Sequence, residues 1–344
     1  MVDQRAQAKL DQLETVLRRD VATRHTGTGF DAVRFAHNAL PDVDFASIDL
    51  STTFLGRTCR APLLISSMTG GPRRAGAINA TLAEVAQSLG LALAVGSQRI
   101  ALETPNTAGF NRDLRRRAPD VPILANVGAA QLNEWHGVDY LRRAVDMIDA
   151  DALIIHLNPL QEVLQDNGDR NWKGLLTRIG EAVTALPCPV IVKEIGCGIS
   201  AGVALKLHSV GVEIIDVAGV GGTSWAAVVA ESAATQKSRN IAETFRDWGI
   251  PTAQAISDVR AALPNITLIA SGGMRNGLDA AKALRLGANM VGFAGSILEQ
   301  TLQGRQNLQV KFESIIEELQ IAAFCTGSQT LAELSVAPLV SGQS

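Results

Sequence analysis

From Ala61 onward the chain alternates short apolar runs with longer stretches in which apolar residues return every three or four positions. The first pattern is that of strands buried on both faces, and the second that of amphipathic helices. Eight apolar runs stand out, at residues 62–68, 92–96, 122–127, 152–157, 190–195, 213–218, 267–271 and 290–294. Helices are expected between them, for example over 77–89, 174–185, 200–209 and 279–286. This alternation predicts an α/β fold. Eight strand–helix units are the count of a (β/α)8 TIM barrel, with a doubly wound open sheet as the alternative. Residues 1–60 hold one amphipathic helix (4–19) and a polar approach. They read as an N-terminal helical extension packed on the barrel of 61–344, in a single domain overall. The connection 219–265 is unusually long, with a GVGGTSW turn, a polar stretch and a helix ending near Leu263. Connections of that length often serve as lids or binding elements.

In strand–helix folds, chemistry gathers at the carboxyl ends of the strands. Run 152–157 surfaces into His156, Asn158, Gln161 and Glu162, four polar groups within seven residues. Run 190–195 carries a lysine, Lys193, inside an otherwise apolar stretch, where an ion pair with Glu194 is the plainest explanation. The last two units leave through glycine turns, GGMRNG from Gly272 and GFAGS from Gly292, each opening a helix. Backbone N–H groups in such turns hold phosphate, although tight-turn geometry alone also selects glycine. A phosphate there would lay a flat cofactor over the barrel mouth, against Thr69, Ser97, Asn126 and Lys193. Glu162 is the metal candidate: a lone carboxylate sharing Mg²⁺ with substrate phosphates is the usual arrangement for this ion. Arg99 offers a bidentate phosphate contact, and Gln161, which is neutral, can orient a reacting group.

Composition narrows the field. Of 344 residues 47% are hydrophobic and 19% charged, with a net charge of −3, as in a globular protein with ample core. The basic runs Arg18-Arg19 and Arg115-Arg116-Arg117 read as solvated helix faces, so no nucleic-acid partner is expected. Cys59, Cys188, Cys197 and Cys325 show no metal-ligand spacing and read as reduced thiols of a cytoplasmic protein. The amino-terminal stretch is polar rather than signal-like, and no apolar run reaches membrane-spanning length.

The motifs SSMTGG (66–71), GSQR (96–99), HLNPLQE (156–162), IVKEIGCGIS (191–200), GGTSW (221–225) and SGGMRNGLDAAKALRLGA (271–288) together resemble the type 2, flavin-dependent isopentenyl diphosphate isomerases. The resemblance runs from about Phe30 to Val340. It implies an FMN barrel enzyme, a homotetramer or homo-octamer, that interconverts isopentenyl and dimethylallyl diphosphate. Reduced FMN, supplied by NADPH or NADH, and Mg²⁺ would be required. By the same resemblance Ser67, Met68, Thr69, Ser97, Asn126, Lys193 and Thr223 would contact the flavin ring and ribityl chain. Gly272, Gly273, Met274, Arg275, Ala294 and Gly295 would surround its phosphate. Ser97, Gln98, Arg99, His156 and Gln161 would face the diphosphate substrate, with His156 and Gln161 nearest the chemistry, and Glu162 would bind Mg²⁺.

One motif departs from the family. An amino-terminal Arg-Lys pair followed three residues later by His usually grips the diphosphate. Here the corresponding positions are Arg5, Ala6 and Lys9. Arg5 and Lys9 lie one helical turn apart and can still meet one anion. Two rivals stay open at this point. One is an FMN oxidase or dehydrogenase acting on another prenyl-type or hydroxy-acid substrate, for which loop 219–250 lacks the expected His or Cys. The other is a flavin-binding protein without catalysis.

Overall fold

The computed structural model describes residues 14–68, 75–104, 109–133 and 137–340. The expected contacts of Arg5, Ala6, Lys9 and Thr69 therefore lie outside the described residues. A hairpin of β1 (Thr52–Phe54) and β2 (Arg57–Cys59) precedes eight parallel strands. These are β3 (Leu63–Ile65), β4 (Ala92–Ala94), β5 (Ile123–Gly128), β6 (Ala152–Leu157), β7 (Val190–Glu194), β8 (Ile214–Asp216), β9 (Thr267–Ala270) and β10 (Met290–Phe293). They close into a barrel in chain order, β10 pairing β3, so the open-sheet alternative falls. The helices expected from periodicity form at Ala75–Leu89, Leu175–Ala185, Ala201–Ser209 and Gly277–Arg285. The long connection after β8 is largely helical, at Trp225–Glu231, Gln236–Thr244 and Thr252–Ala262. Its polar stretch is the second of these helices, whose side chains are mostly exposed.

Pairing register separates inward from outward positions, because residues paired across parallel strands point to the same face. Leu64 pairs Ala92, Ala94 pairs Leu124, Ile154 pairs Ile191, Ile191 pairs Ile214, and Met290 pairs Ile269. All of these belong to one buried cluster, the barrel interior, which Phe54 and Cys59 of the hairpin join. The hairpin thus plugs the amino-terminal end, and burial pushes the Cys59 thiol up to about 11. The opposite parity (Leu63, Ile65, Leu93, Leu153, Val192, Leu268, Phe293) packs against the helix ring. Two residues further along the inward parity the lining changes from apolar to polar: Asn126, His156, Lys193, Asp216 and Ser271. An apolar half that sustains the fold and a polar half that faces the mouth are built from one alternation.

Residues 20–28 run as a strap beside the mouth. Ala22 bridges Thr223, Ser224 N–H donates to Val21 O at 2.7 Å, and Arg246 Nη1 donates to Asp20 and Ala22 carbonyls. The arginine run after Asn111 is not uniformly solvated. Arg116 is open to solvent, but Arg115 is only 12% exposed and binds Asp151 Oδ2 at 2.6 Å. Arg115 ties this helical turn to the amino-terminal ends of β5 and β6, because Asp151 also accepts from Ile123 N–H.

Candidate active site

The mouth is assembled from the exits of the barrel strands. On β5, Asn126 is 3% exposed, and its Nδ2 donates to Ser67 Oγ (2.9 Å) and to Val95 O (3.0 Å). Its Oδ1 is then the acceptor at 2.8 Å from His156 Nδ1 on β6. This network makes Nδ1 the donor. Gln98, expected to face substrate, is fully buried in the wall instead. Its Oε1 accepts from Asn126 N–H (2.9 Å) and its Nε2 donates to Ala144 O (2.8 Å), so it braces β5 from behind. The Met274 side chain lies in the outer core, and its carbonyl accepts from Ser296 Oγ at 2.7 Å.

After β6 the chain turns into the helix Pro159–Leu164, with Pro at the first position and Asn158 before it. The Asn158 side chain does not cap that helix. Its Nδ2 donates to Glu162 Oε1 (2.7 Å) and Gln161 Oε1 (3.1 Å), holding both side chains on one side. The other Glu162 oxygen accepts from Asp169 N–H at 2.7 Å. Arg99 lies across from this pair, at 2.8 Å from Asp169 and 2.9 Å from Glu103. The structure therefore brings Arg99, Gln161 and Glu162 together through Asp169, a residue the sequence reading passed over.

Lys193 does not pair with Glu194. Consecutive strand residues face opposite ways, and Glu194 points outward, where it accepts from the N–H groups of Ile195, Gly196 and Cys197 at 2.5–2.7 Å. Burial pushes its carboxyl up to about 7, against the pull of those donors and of Lys193. Lys193 Nζ instead lies 3.1 Å from Asp216 Oδ2 and donates to Ser271 Oγ at 3.0 Å. Asp216, which is fully buried, was not among the expected residues. Its signal was present in the inward parity of run 213–218, where Ile214 and Asp216 share a face.

The glycine turns meet at the far side. Gly272 and Gly273 have φ of 98° and 72°, and a Cβ on Gly272 would lie 2.1 Å from Gly219 O. These two loops touch backbone to backbone, which only glycine allows. Thr252 Oγ1 donates to Gly272 O at 2.7 Å and fixes the turn. Gly295 is exposed at the start of the turn after β10, and a Cβ there would come 3.3 Å from Thr223 Oγ1. The gap bordered by Gly273, Ala294, Gly295 and Thr223 fits an anion held by backbone N–H groups, with Arg275 exposed at its edge. A flat, phosphate-bearing cofactor such as FMN fits this cradle and the polar wall of Asn126 and Lys193. Among the described residues no group of three or more His, Cys, Asp or Glu side chains could hold a metal. Half-buried Glu162 is one carboxylate, a fit to an ion that brings its other ligands with the substrate. Among the described residues no helix is long and apolar enough to cross a membrane.

Comparison with known proteins agrees with this geometry. Residues 4–105 and 157–340 match the family of FMN-dependent dehydrogenases. An isopentenyl-diphosphate delta-isomerase from Stutzerimonas stutzeri is 56% identical over 332 residues, covering 96% of each chain. One from Cronobacter sakazakii is 54% identical over 97% of this chain and 96% of its own, and one from Synechocystis is 46% identical over 100% and 98%. Among solved structures, a putative lactate oxidase of Pediococcus acidilactici superposes with a TM-score of 0.68 at 16% identity, covering 100% of this chain and 94% of its own. The flavin-binding domain of baker's yeast flavocytochrome b2 superposes with a TM-score of 0.69 at 14% identity, covering 96% and 82%. At such identities these two bear on the fold alone.

Proposed function

The chain belongs to the FMN-dependent dehydrogenase family and, within it, to the isopentenyl-diphosphate delta-isomerases, and from that premise we propose the site's chemistry. The enzyme is an FMN-dependent isomerase that moves the double bond of isopentenyl diphosphate to give dimethylallyl diphosphate. The observation that carries the reading is the Asn158–Gln161–Glu162 arrangement beside Arg99, with Lys193 on the neighbouring strand and the glycine cradle further round the mouth. It offers an anion grip, a metal carboxylate and a neutral orienting amide, but no protein acid–base pair.

The reaction adds a proton at one carbon and removes one from another, with no net electron transfer. When bound and reduced, FMN supplies the acid–base nitrogen chemistry that the side chains lack. Ser67, Met68, Asn126, Lys193 and Thr223 would hold its ring and chain, and Gly272, Gly273, Arg275, Ala294 and Gly295 its phosphate. Arg99 and His156 would bind the substrate diphosphate, and Glu162 would hold a Mg²⁺ that arrives with it. Anchoring the anion in this way fixes the hydrocarbon end over the mouth and turns orientation into rate. Gln161, restrained by Asn158, positions the reacting carbons. Ser97, half-buried at the exit of β4, lies between the flavin and diphosphate regions and serves both. Arg5 and Lys9 would add to the grip on the diphosphate. NADPH or NADH reduces the flavin, and the protein works as a cytoplasmic homo-oligomer.

The oxidase rival gains nothing from the site, since the helices of 219–250 bring neither His nor Cys to the mouth. The deciding experiment is anaerobic. Dithionite-reduced protein with FMN, Mg²⁺ and isopentenyl diphosphate is followed by NMR, and dimethylallyl diphosphate is expected from the reduced form only. A yellow, reducible protein that forms no product would refute the isomerase reading and leave the flavin barrel.

A further inference from the structure

We infer that Asp216 is a positioning residue for the flavin, making with Ser271 and Lys193 a buried, net-neutral charge pair that sets the electrostatics under the ring. The inference rests on the proposed placement of FMN over Lys193. Three adjacent strands supply the group. Lys193 on β7 is in register with Asp216 on β8, and Asp216 with Ile269 on β9, two residues before Ser271 on the same face.

Hydrogen-bond directions are fixed around it. Ser271 Oγ accepts from Lys193 Nζ at 3.0 Å, so its own proton goes to Asp216 Oδ1 at 2.6 Å. Asp216 Oδ1 also accepts from Ala218 N–H at 3.2 Å. The second oxygen, Oδ2, has Lys193 at 3.1 Å as its counter-charge and makes no aligned hydrogen bond. Asp216 is 0% and Lys193 7% exposed, so the two charges act on their neighbours through a low-dielectric medium where water screens little. Two anchors on one side leave the ammonium a single direction, towards the mouth. The other polar groups of this layer are Asn126 and His156, the latter in register with Lys193, while Glu194 faces outward.

The pairing has a functional sense. A bare ammonium under the ring would favour the form with added negative charge, which suits electron storage. An isomerase needs a ring that both gives and takes a proton, and a lysine balanced by a buried carboxylate supplies direction without a large net field.

The test compares wild type, Asp216→Asn, Lys193→Met and the double variant. FMN affinity is measured first by equilibrium dialysis, then the two-electron midpoint potential of the bound flavin. Asp216→Asn is expected to raise the potential and Lys193→Met to lower it. Each shift should be at least about 30 mV, the two-electron equivalent of a tenfold change in the equilibrium, and the double variant should return to within that of wild type. A role confined to folding would not move the two single variants in opposite directions. If Asp216→Asn does not fold, adding it to Lys193→Met reads the same charge, and the potential must rise between those two proteins. Bound FMN with potentials that coincide would overturn the inference while leaving the cofactor reading intact. A wild type that binds no FMN would overturn both.

Discussion

Asn158 spends its side chain on Glu162 rather than on the helix it precedes: Nδ2 reaches Glu162 Oε1 at 2.7 Å, and no cap bond is made to the backbone. An asparagine in that position ordinarily caps, and giving up a cap costs about 1 kcal/mol. The diverted amide acts as an outer-shell partner that aims the carboxylate. Asn158→Ala is therefore expected to raise the Mg²⁺ concentration for half-maximal activity by roughly 10–100-fold, the usual cost of losing such a partner. Glu162→Gln should abolish the Mg²⁺ response with little change in melting temperature. A Mg²⁺ titration decides it: an Asn158→Ala curve superimposed on wild type would show that Glu162 needs no such support.

The Lys193–Asp216 pair carries a second expectation, for stability without cofactor. Removing one member leaves the other charged, buried and uncompensated, at a cost of about 3–5 kcal/mol. Lys193→Met should lower the denaturation midpoint of the apoprotein strongly, and adding Asp216→Asn should recover much of the loss. Urea melts of the three proteins measure this. Simple addition of the two single losses would argue against direct coupling.

Glu194 predicts a pH dependence. Its folded carboxyl lies at about 7, raised mainly by burial, whereas in the unfolded chain it titrates at the ordinary value near 4.5. Between those pH values the folded state keeps a proton that the unfolded state has lost, so stability falls as pH rises through this window. Glu194→Gln retains an oxygen that can accept from the three N–H groups but cannot ionise. Its midpoint should be flatter than wild type from pH 4.5 to 7, and an unchanged slope would show that Glu194 is already ionised there.

The barrel was legible because eight apolar runs alternate with helical periodicity, and the mouth because every run ends in polar or glycine-rich sequence. What escaped was direction within the strands. Lys193 and Glu194 are adjacent letters, and only the pleat shows that one faces the interior and the other the helix ring. Asp216 is an acidic residue inside an apolar run, and its counter-charge sits 23 positions earlier on the neighbouring strand. Gln98 is expected at the substrate only through the family resemblance, yet it is turned into the wall. Asp169 lies in no motif, and it matters because the turn after helix Pro159–Leu164 folds back, bringing its N–H onto Glu162.

The glycine cradle separates two kinds of substitution. At Gly272 an added methyl would overlap Gly219 O and meet a left-handed backbone, so Gly272→Ala should disrupt the loop and lower stability as well as FMN affinity. At Gly295 the methyl meets, among the described residues, only Thr223 Oγ1, at 3.3 Å, so the fold should hold while the anion is crowded. Gly295→Ala is expected to weaken FMN binding by about tenfold, some 1.4 kcal/mol, at an unchanged melting temperature. Fluorescence titration of the apoprotein with FMN, set beside a thermal melt, distinguishes the two. Undiminished FMN affinity in Gly295→Ala would place the phosphate elsewhere.

One carboxylate clasps the middle of the strap beside the mouth. Asp247 Oδ1 accepts from the N–H groups of Arg24, His25 and Thr26, at 2.7, 3.1 and 3.4 Å. Burial works against its ionisation, but the three donors prevail and hold the carboxyl below its ordinary value. The clasp lies at the surface, so its loss should cost global stability only about 1 kcal/mol. Its local effect should be larger, because the strap pairs with the 219–224 loop beside the mouth. Asp247→Ala is expected to speed hydrogen exchange over residues 20–28 and to raise KM for the diphosphate substrate more than it lowers kcat. A fall in kcat at constant KM would detach the strap from substrate binding.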